Sequence, residues 1–279
     1  TNESFRIDLS ILKETLEADR AVGLDPLCVC ANAGATNTGS VDPLASLAEV
    51  AAEGKLWFHV DGAYGGFALL APRERDAFKG IEAADSITLD PHKWLFQPYE
   101  TGCLMVRDTR LLENAFRILP EYLQDTALGE EHVNFADRGI QLTRGFRALK
   151  VWMSIQTLGV RAFREAIQAS IDLARAAEEF IGRSDHLEMS GPSSLGIVCF
   201  RFRDPGHSLA AKQLESLNLA IQEEIVASGQ AMMSSTRLRG VFSLRLSILN
   251  YRSTWMDIQE TLETVVSIGQ RRAAEVKGP

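Results

Sequence analysis

Two short stretches hold the residue types that could do chemistry: HVDGAYGG at 59–66 and DPHKW at 90–94. Lys93 follows an apolar run and stands between a proline turn and Trp94, Leu95 and Phe96. An amine in partly desolvated surroundings can act as a neutral nucleophile and condense with an aldehyde. Asp61 ends a second apolar run and precedes Gly62 and Ala63, whose small side chains let a flat group approach the backbone. A carboxylate so placed could keep a ring nitrogen protonated. Each residue also has an ordinary reading, Lys93 as a surface loop lysine and Asp61 as a turn cap.

Taken together, the two residues meet the demands of pyridoxal 5'-phosphate, which needs a lysine on its aldehyde and a carboxylate at its pyridinium nitrogen. Asp61 and Lys93 are separated by about one strand–connection–strand unit, so two adjacent parallel strands would deliver both to one crevice.

The surrounding elements must make that crevice. Residues 8–22 read as an amphipathic helix capped by Asp8 or Ser10, with Ile11, Leu12, Leu16 and Val22 apolar. LCVCANA (27–33) reads as a buried strand, and GATNTGSVDP (34–43) as turn chemistry. Asp42 is expected to cap a helix that opens on Pro43 and ends at Gly54. Strands follow at 55–60, 85–89 and 102–108, with DPHKW as a turn and a helix at 109–117. This alternation predicts an α/β layer with a mainly parallel sheet, whose sites collect at the carboxyl ends of strands. Asp61 and the His92–Lys93 pair both fall there.

Residues 120–142 have weak periodicity and read as a long loop of the kind that forms lids. A helical pattern over 145–181 is interrupted near Gly159. Strands at 187–190 and 195–202, a helix at 208–228, one or two strands within 231–248 and a helix at 254–274 then give an α+β pattern. The expected division is 1–157, part of a large α/β domain, and 158–279, a small α+β domain.

Composition narrows the classes. The chain has 279 residues, 46% hydrophobic and 24% charged, which excludes disordered and collagen-like classes. A net charge of −8 gives no electrostatic footprint for nucleic acid. No apolar run approaches the roughly 18–20 residues that span a bilayer. Cys28, Cys30, Cys103 and Cys199 show no zinc spacing, and the expectation is buried, reduced thiols in a cytoplasmic protein. Cys28 and Cys30 should share one strand face.

The sequence resembles the pyridoxal phosphate-dependent group II amino-acid decarboxylases, the family that includes aromatic-L-amino-acid decarboxylase. The resemblance runs in order through GLDPLCVCANAGATNTGSVDP, HVDGAYGG, ADSITLDPHKW, TRGFRALKVW, LGIVCFRF and LRLSILNYR. It covers nearly the whole chain. PHKW with an upstream HVDxAYxG is its most specific part.

The resemblance implies a fold-type I PLP-dependent transferase-like fold and decarboxylation of an L-amino acid, first of all an aromatic one, to the amine and CO2. It implies that Lys93 is the Schiff-base lysine, Asp61 the pyridinium partner and Ala63 the small residue on a ring face. His92 would stand near the cofactor phosphate and the lid, and Thr36 near the ring substituents. It implies a homodimer with the site at the subunit interface.

Two departures qualify this. By the resemblance, this sequence is expected to lack a large N-terminal part of a typical member, the part that supplies the phosphate-binding turn and the group stacked on the ring. The chain alone is therefore expected to hold half the cofactor site and to be poorly soluble or inactive, as a fragment or one piece of a split enzyme. Counting back from Arg147 places Phe135 where the family's lid carries a proton-donating tyrosine, and phenylalanine has no acidic hydrogen. In the resembling family this exchange accompanies aldehyde synthesis with release of ammonia and peroxide. Tyr122 is an alternative donor. Arg144 and Arg147 read as structural ion-pair partners before anion ligands, His59 as packed, His132 as solvated in the lid, and His186 and His207 as lacking a partner pattern. An inactive partner subunit is the non-enzyme alternative.

Overall fold

The computed structural model describes residues 1–118, 133–206 and 208–277. The first four strands, β1 (Cys28–Asn32), β2 (Trp57–Gly62), β3 (Ser86–Leu89) and β4 (Cys103–Val106), form one sheet in that order. β1, β2 and β3 run parallel, and β4 returns antiparallel to β3. Asn32 lies opposite Asp61, and Asp61 opposite Thr88, so the ends of three strands are in register.

Local chemistry explains most boundaries. Asp8 caps α1 (Leu9–Ala21) by accepting from the backbone of Ser10 and Ile11. Leu12 and Leu16 pack against the first core, whereas Ile11 and Val22 of the expected apolar face are exposed. α2 (Leu44–Gly54) follows Pro43, but Asp42 does not cap it. Its carboxylate accepts instead from Ile7 N (2.7 Å), Asn32 N (2.7 Å) and Asn32 Nδ2 (3.2 Å). Buried to 3% exposure, Asp42 joins the amino-terminal segment to the end of β1. Asp42→Ala would leave two backbone donors unpaired, and a loss of about 2–4 kcal/mol in stability is expected. A denaturant midpoint that barely moves would refute this role.

DPHKW, expected as a turn, winds into a single helical turn, α3 (Pro91–Trp94). Proline at the first helical position presets the backbone there, after an extended Asp90. Trp94 from this turn is fully buried, its ring 5.1 Å from that of Tyr64. α4 (Arg110–Phe116) closes this part.

The second part begins within α5 (Arg147–Arg183), which Gly159 breaks at φ 75° and ψ 152°. Only glycine takes such a backbone readily. β5 (Leu187–Met189), β6 (Ile197–Phe202), β7 (Ser234–Leu238) and β8 (Val241–Ser247) form an antiparallel sheet in the order β5-β6-β8-β7. α6 (Ala211–Ser228) and α7 (Trp255–Lys277) contribute Leu217, Ile221, Ile225, Leu262 and Val265 to its core. Ile167, Ile171, Leu195, Ile197 and Cys199 pack into the first core instead.

Cys28, Cys30 and Cys103 are exposed, against expectation, and only Cys199 is buried. Alternation did put Cys28 and Cys30 on one face, with sulfurs 3.8 Å apart, but that face of β1 is uncovered. Partial burial, and then the hydrogen bond with Cys28, raise the Cys30 thiol. Burial pushes Cys199 to about 11. No helix among the described residues is long and apolar enough to cross a membrane.

Candidate active site

β2 and β3 are parallel neighbours: Asp61 lies opposite Thr88 near the carboxyl end of β2, and the His92–Lys93 turn follows the carboxyl end of β3. Asp61 Oδ1 accepts from Ala63 N at 3.0 Å and from Thr88 Oγ1 at 3.2 Å. These bonds orient the carboxylate, and Oδ2 makes no hydrogen bond among the described residues. Asp61 is exposed on the open sheet face, with half-buried Ala63 beside it. An oriented carboxylate oxygen that is unengaged among the described residues, beside a small side chain and next to a strand that leads into a lysine-bearing turn, fits the pyridinium end of pyridoxal 5'-phosphate.

Lys93 Nζ lies 2.9 Å from Asp90 Oδ2. The Lys93 side chain is 32% exposed, so the amine sits beside a carboxylate rather than among Trp94, Leu95 and Phe96. His92 Nε2 is 3.7 Å from the same Asp90 oxygen. Its Nδ1 is 2.7 Å from the Thr101 carbonyl, and its ring meets Tyr99 edge-on at 5.1 Å. Asp90 therefore stands between both basic side chains. Sequence reading missed it, although its place three residues before Lys93 on a helical turn is the signal that would have found it.

The loop after β1 leans on Asp61: Ala33 N donates to the Asp61 carbonyl at 2.7 Å. Gly34 and Gly65 touch there, since a Cβ on Gly34 would stand 2.7 Å from Gly65 Cα. Thr36 follows in this loop with an exposed side chain.

The segment after Lys93 is fixed by α5. Lys150 Nζ donates to the carbonyls of Pro98 (2.7 Å) and Glu100 (2.9 Å), and Gln97 Nε2 donates to Ser154 Oγ at 2.8 Å. Arg147 pairs with Glu100, and its hydrogen bond and charge hold that carboxyl below its ordinary range. Arg147 is thus engaged as an ion-pair partner. Arg144 lies 5.9 Å over the Phe135 ring and donates to the Phe135 carbonyl at 3.2 Å.

Phe135 opens a short 3₁₀ turn, Phe135–Arg138, and is exposed. Among the described residues no hydrogen bond or ring contact joins it to Lys93, His92 or Asp61. Tyr122, His132 and His207 lie outside the described residues. His59 is tied through Nδ1 to Ser86 Oγ at 2.7 Å. His186 does have a partner: its Nε2 lies 2.8 Å from Gln270 Nε2, and its ring stacks on Phe202.

The family model described as "Pyridoxal-dependent decarboxylase conserved domain" matches residues 1–203. The chain belongs to the pyridoxal-dependent decarboxylase family. The aromatic-L-amino-acid decarboxylase of Bacillus atrophaeus is 41% identical over 97% of this chain and 56% of its own length. The phenylacetaldehyde synthase of Petunia hybrida is 33% identical over 88% of this chain and 49% of its own length. The crystal structure of Oryza sativa TDC with PLP and tryptamine superposes with a TM-score of 0.91 at 31% identity, over 97% of this chain and 56% of that one. The chain thus spans about half the length of the relatives it matches. Its fold is that of these decarboxylases, fold type I, with one mainly parallel and one antiparallel sheet.

Proposed function

We propose that this chain carries the lysine-bearing part of a pyridoxal 5'-phosphate enzyme that decarboxylates an aromatic L-amino acid to its amine and CO2. What supports this reading is that β2 carries Asp61 near its carboxyl end, with Oδ2 making no hydrogen bond among the described residues, and that its parallel neighbour β3 leads into the turn that holds Lys93. Family membership and the names of the relatives support the reaction and the substrate class.

When bound, the cofactor supplies an electron sink for the carbon that loses its carboxylate. Asp61 Oδ2 would hold a proton on the ring nitrogen while Oδ1 stays committed to Ala63 and Thr88. Ala63 would leave room for a ring face. Lys93, whose Nζ lies 2.9 Å from Asp90 Oδ2, would hold the cofactor through its aldehyde, with Asp90 orienting the amine. His92, fixed by Thr101, would stand near the phosphate, and Thr36 near the ring substituents. By this reading the protein is a cytoplasmic homodimer. Residues 1–157 would belong to the cofactor-binding domain and 158–279 to the small domain, the Gly159 break supporting that boundary.

A second reading is aldehyde synthesis. It is favoured by Phe135, which has no proton to give, and by the 33% identity to a phenylacetaldehyde synthase. Product analysis with tryptophan, tyrosine and phenylalanine separates the two. Amine without peroxide is expected; peroxide formed in step with substrate loss would replace decarboxylation by aldehyde synthesis. Absence of both, with no cofactor taken up, would make the chain an inactive partner subunit.

A further inference from the structure

Three neighbouring strands of the second sheet aim side chains at the loop that carries Thr36. Cys199 on β6 and Ser234 on β7 are the cross-strand partners of Arg245 on β8. Arg245 Nε donates to the Asn37 carbonyl at 3.2 Å, and Cys199 Sγ donates to that same carbonyl at 3.2 Å. Arg245 Nη2 donates to the Thr36 carbonyl, and Nη1 to Ser234 Oγ at 3.0 Å, which holds the guanidinium from the far side. Among the described residues no carboxylate forms an ion pair with Arg245, so its fork is committed to two consecutive backbone carbonyls. One planar group reaching both fixes the peptide plane between them, which a single-point donor cannot do.

The loop is otherwise held lightly at its tip. Thr36 and Asn37 are exposed, while Thr38, Gly39 and Ser40 are buried. Ala35 N donates to the Ser40 carbonyl at 2.8 Å and Gly39 N to the Ala35 carbonyl at 2.7 Å, closing the turn. Ser194 Oγ donates to the Gly39 carbonyl at 2.9 Å. At its other end the loop begins on Asp61.

We propose that Arg245 is a positioning residue: from the second sheet it sets the peptide of Thr36–Asn37, and through it the Thr36 side chain, at the edge of the cofactor site. The cofactor part of this rests on the function proposed above; the positioning part does not. Without Arg245, the Thr36 carbonyl turns to water and the Asn37 carbonyl keeps only the weak Cys199 thiol donor, so the tip can rotate and Thr36 loses its fixed direction.

The test pairs two readouts on Arg245→Ala, Arg245→Lys and Thr36→Ala. Amide hydrogen exchange on the cofactor-free chain reads the loop. Exchange at Ala35 and Gly39 is expected to accelerate at least about tenfold in Arg245→Ala, with the β6–β8 ladder unchanged. Arg245→Lys, which keeps the charge and reaches one carbonyl, should fall between, and it serves if the alanine variant fails to fold. Titration with pyridoxal 5'-phosphate, followed by its visible absorbance, reads the site. Affinity is expected to fall about tenfold or more in either alanine variant, and no further in the double variant, because a misplaced Thr36 contributes nothing left to remove. Additive losses would show that Arg245 acts on stability alone and overturn the proposal. Unchanged exchange at Ala35 and Gly39 would overturn the positioning itself. A wild-type chain that takes up no cofactor would instead overturn the site reading and the cofactor part with it.

Discussion

Lys93→Ala is expected to abolish attachment of pyridoxal phosphate to the chain and to cut turnover by at least about a thousandfold. Borohydride reduction of the wild type should fix the cofactor on the peptide containing residue 93, and mass spectrometry should find no such tag in the variant. The expected loss equals about 4 kcal/mol or more of barrier, too large for a residue that merely binds. The fold should survive, because the side chain is 32% exposed and its ion pair with Asp90 is partly solvated. A cofactor tag on another lysine, or full turnover in the variant, would sink the assignment.

Asp61→Asn should separate charge from shape. Asparagine can keep its oxygen toward Ala63 N and Thr88 Oγ1, the two donors that orient the carboxylate. What it loses is the negative charge on the atom facing the open sheet. Turnover is expected to fall by about 10²–10³-fold, or roughly 2.7–4.1 kcal/mol of barrier, because a ring nitrogen without an anionic partner gives up its proton and withdraws electrons less well. Thermal stability should stay within about 0.5 kcal/mol, as for a surface substitution. Wild-type turnover in this variant would show that Asp61 is only the cap of its turn. A matching loss in stability would say the same.

The sequence carried what local pattern can carry. Apolar runs bounded by turn residues marked β1, β2 and β3, and the helix–strand alternation made them parallel. The positions of Asp61 near the end of β2 and of Lys93 just after β3 could be read because apolar runs mark where parallel strands stop. Asp42 was misread because its partners, Ile7 and Asn32, stand 35 and 10 positions away, and nothing beside it in sequence names them. Arg245 was silent for the same reason, its carbonyl partners lying 208 and 209 positions distant. The cysteines show a different limit. Alternation tells which residues share a face of β1, but cover for that face comes from chain packed against it, and Cys28 and Cys30 have none.

Trp94 gives the amine an unexpected mechanical setting. It is the next residue after Lys93 in the same helical turn, and its ring is wedged against Tyr64 and the backbone of Gly196, where an added Cβ would stand 3.0 Å from the indole. The Tyr64 hydroxyl in turn accepts from Gly196 N at 3.1 Å. The indole thus works as a keel whose slot is cut partly in the turn that leads into β6. In so tightly filled a space, a shift of that turn would press on the indole and on the helical turn that carries Lys93. Substitutions remote from every reacting atom, at Gly196 or its neighbours, would therefore register as errors of aim at residue 93.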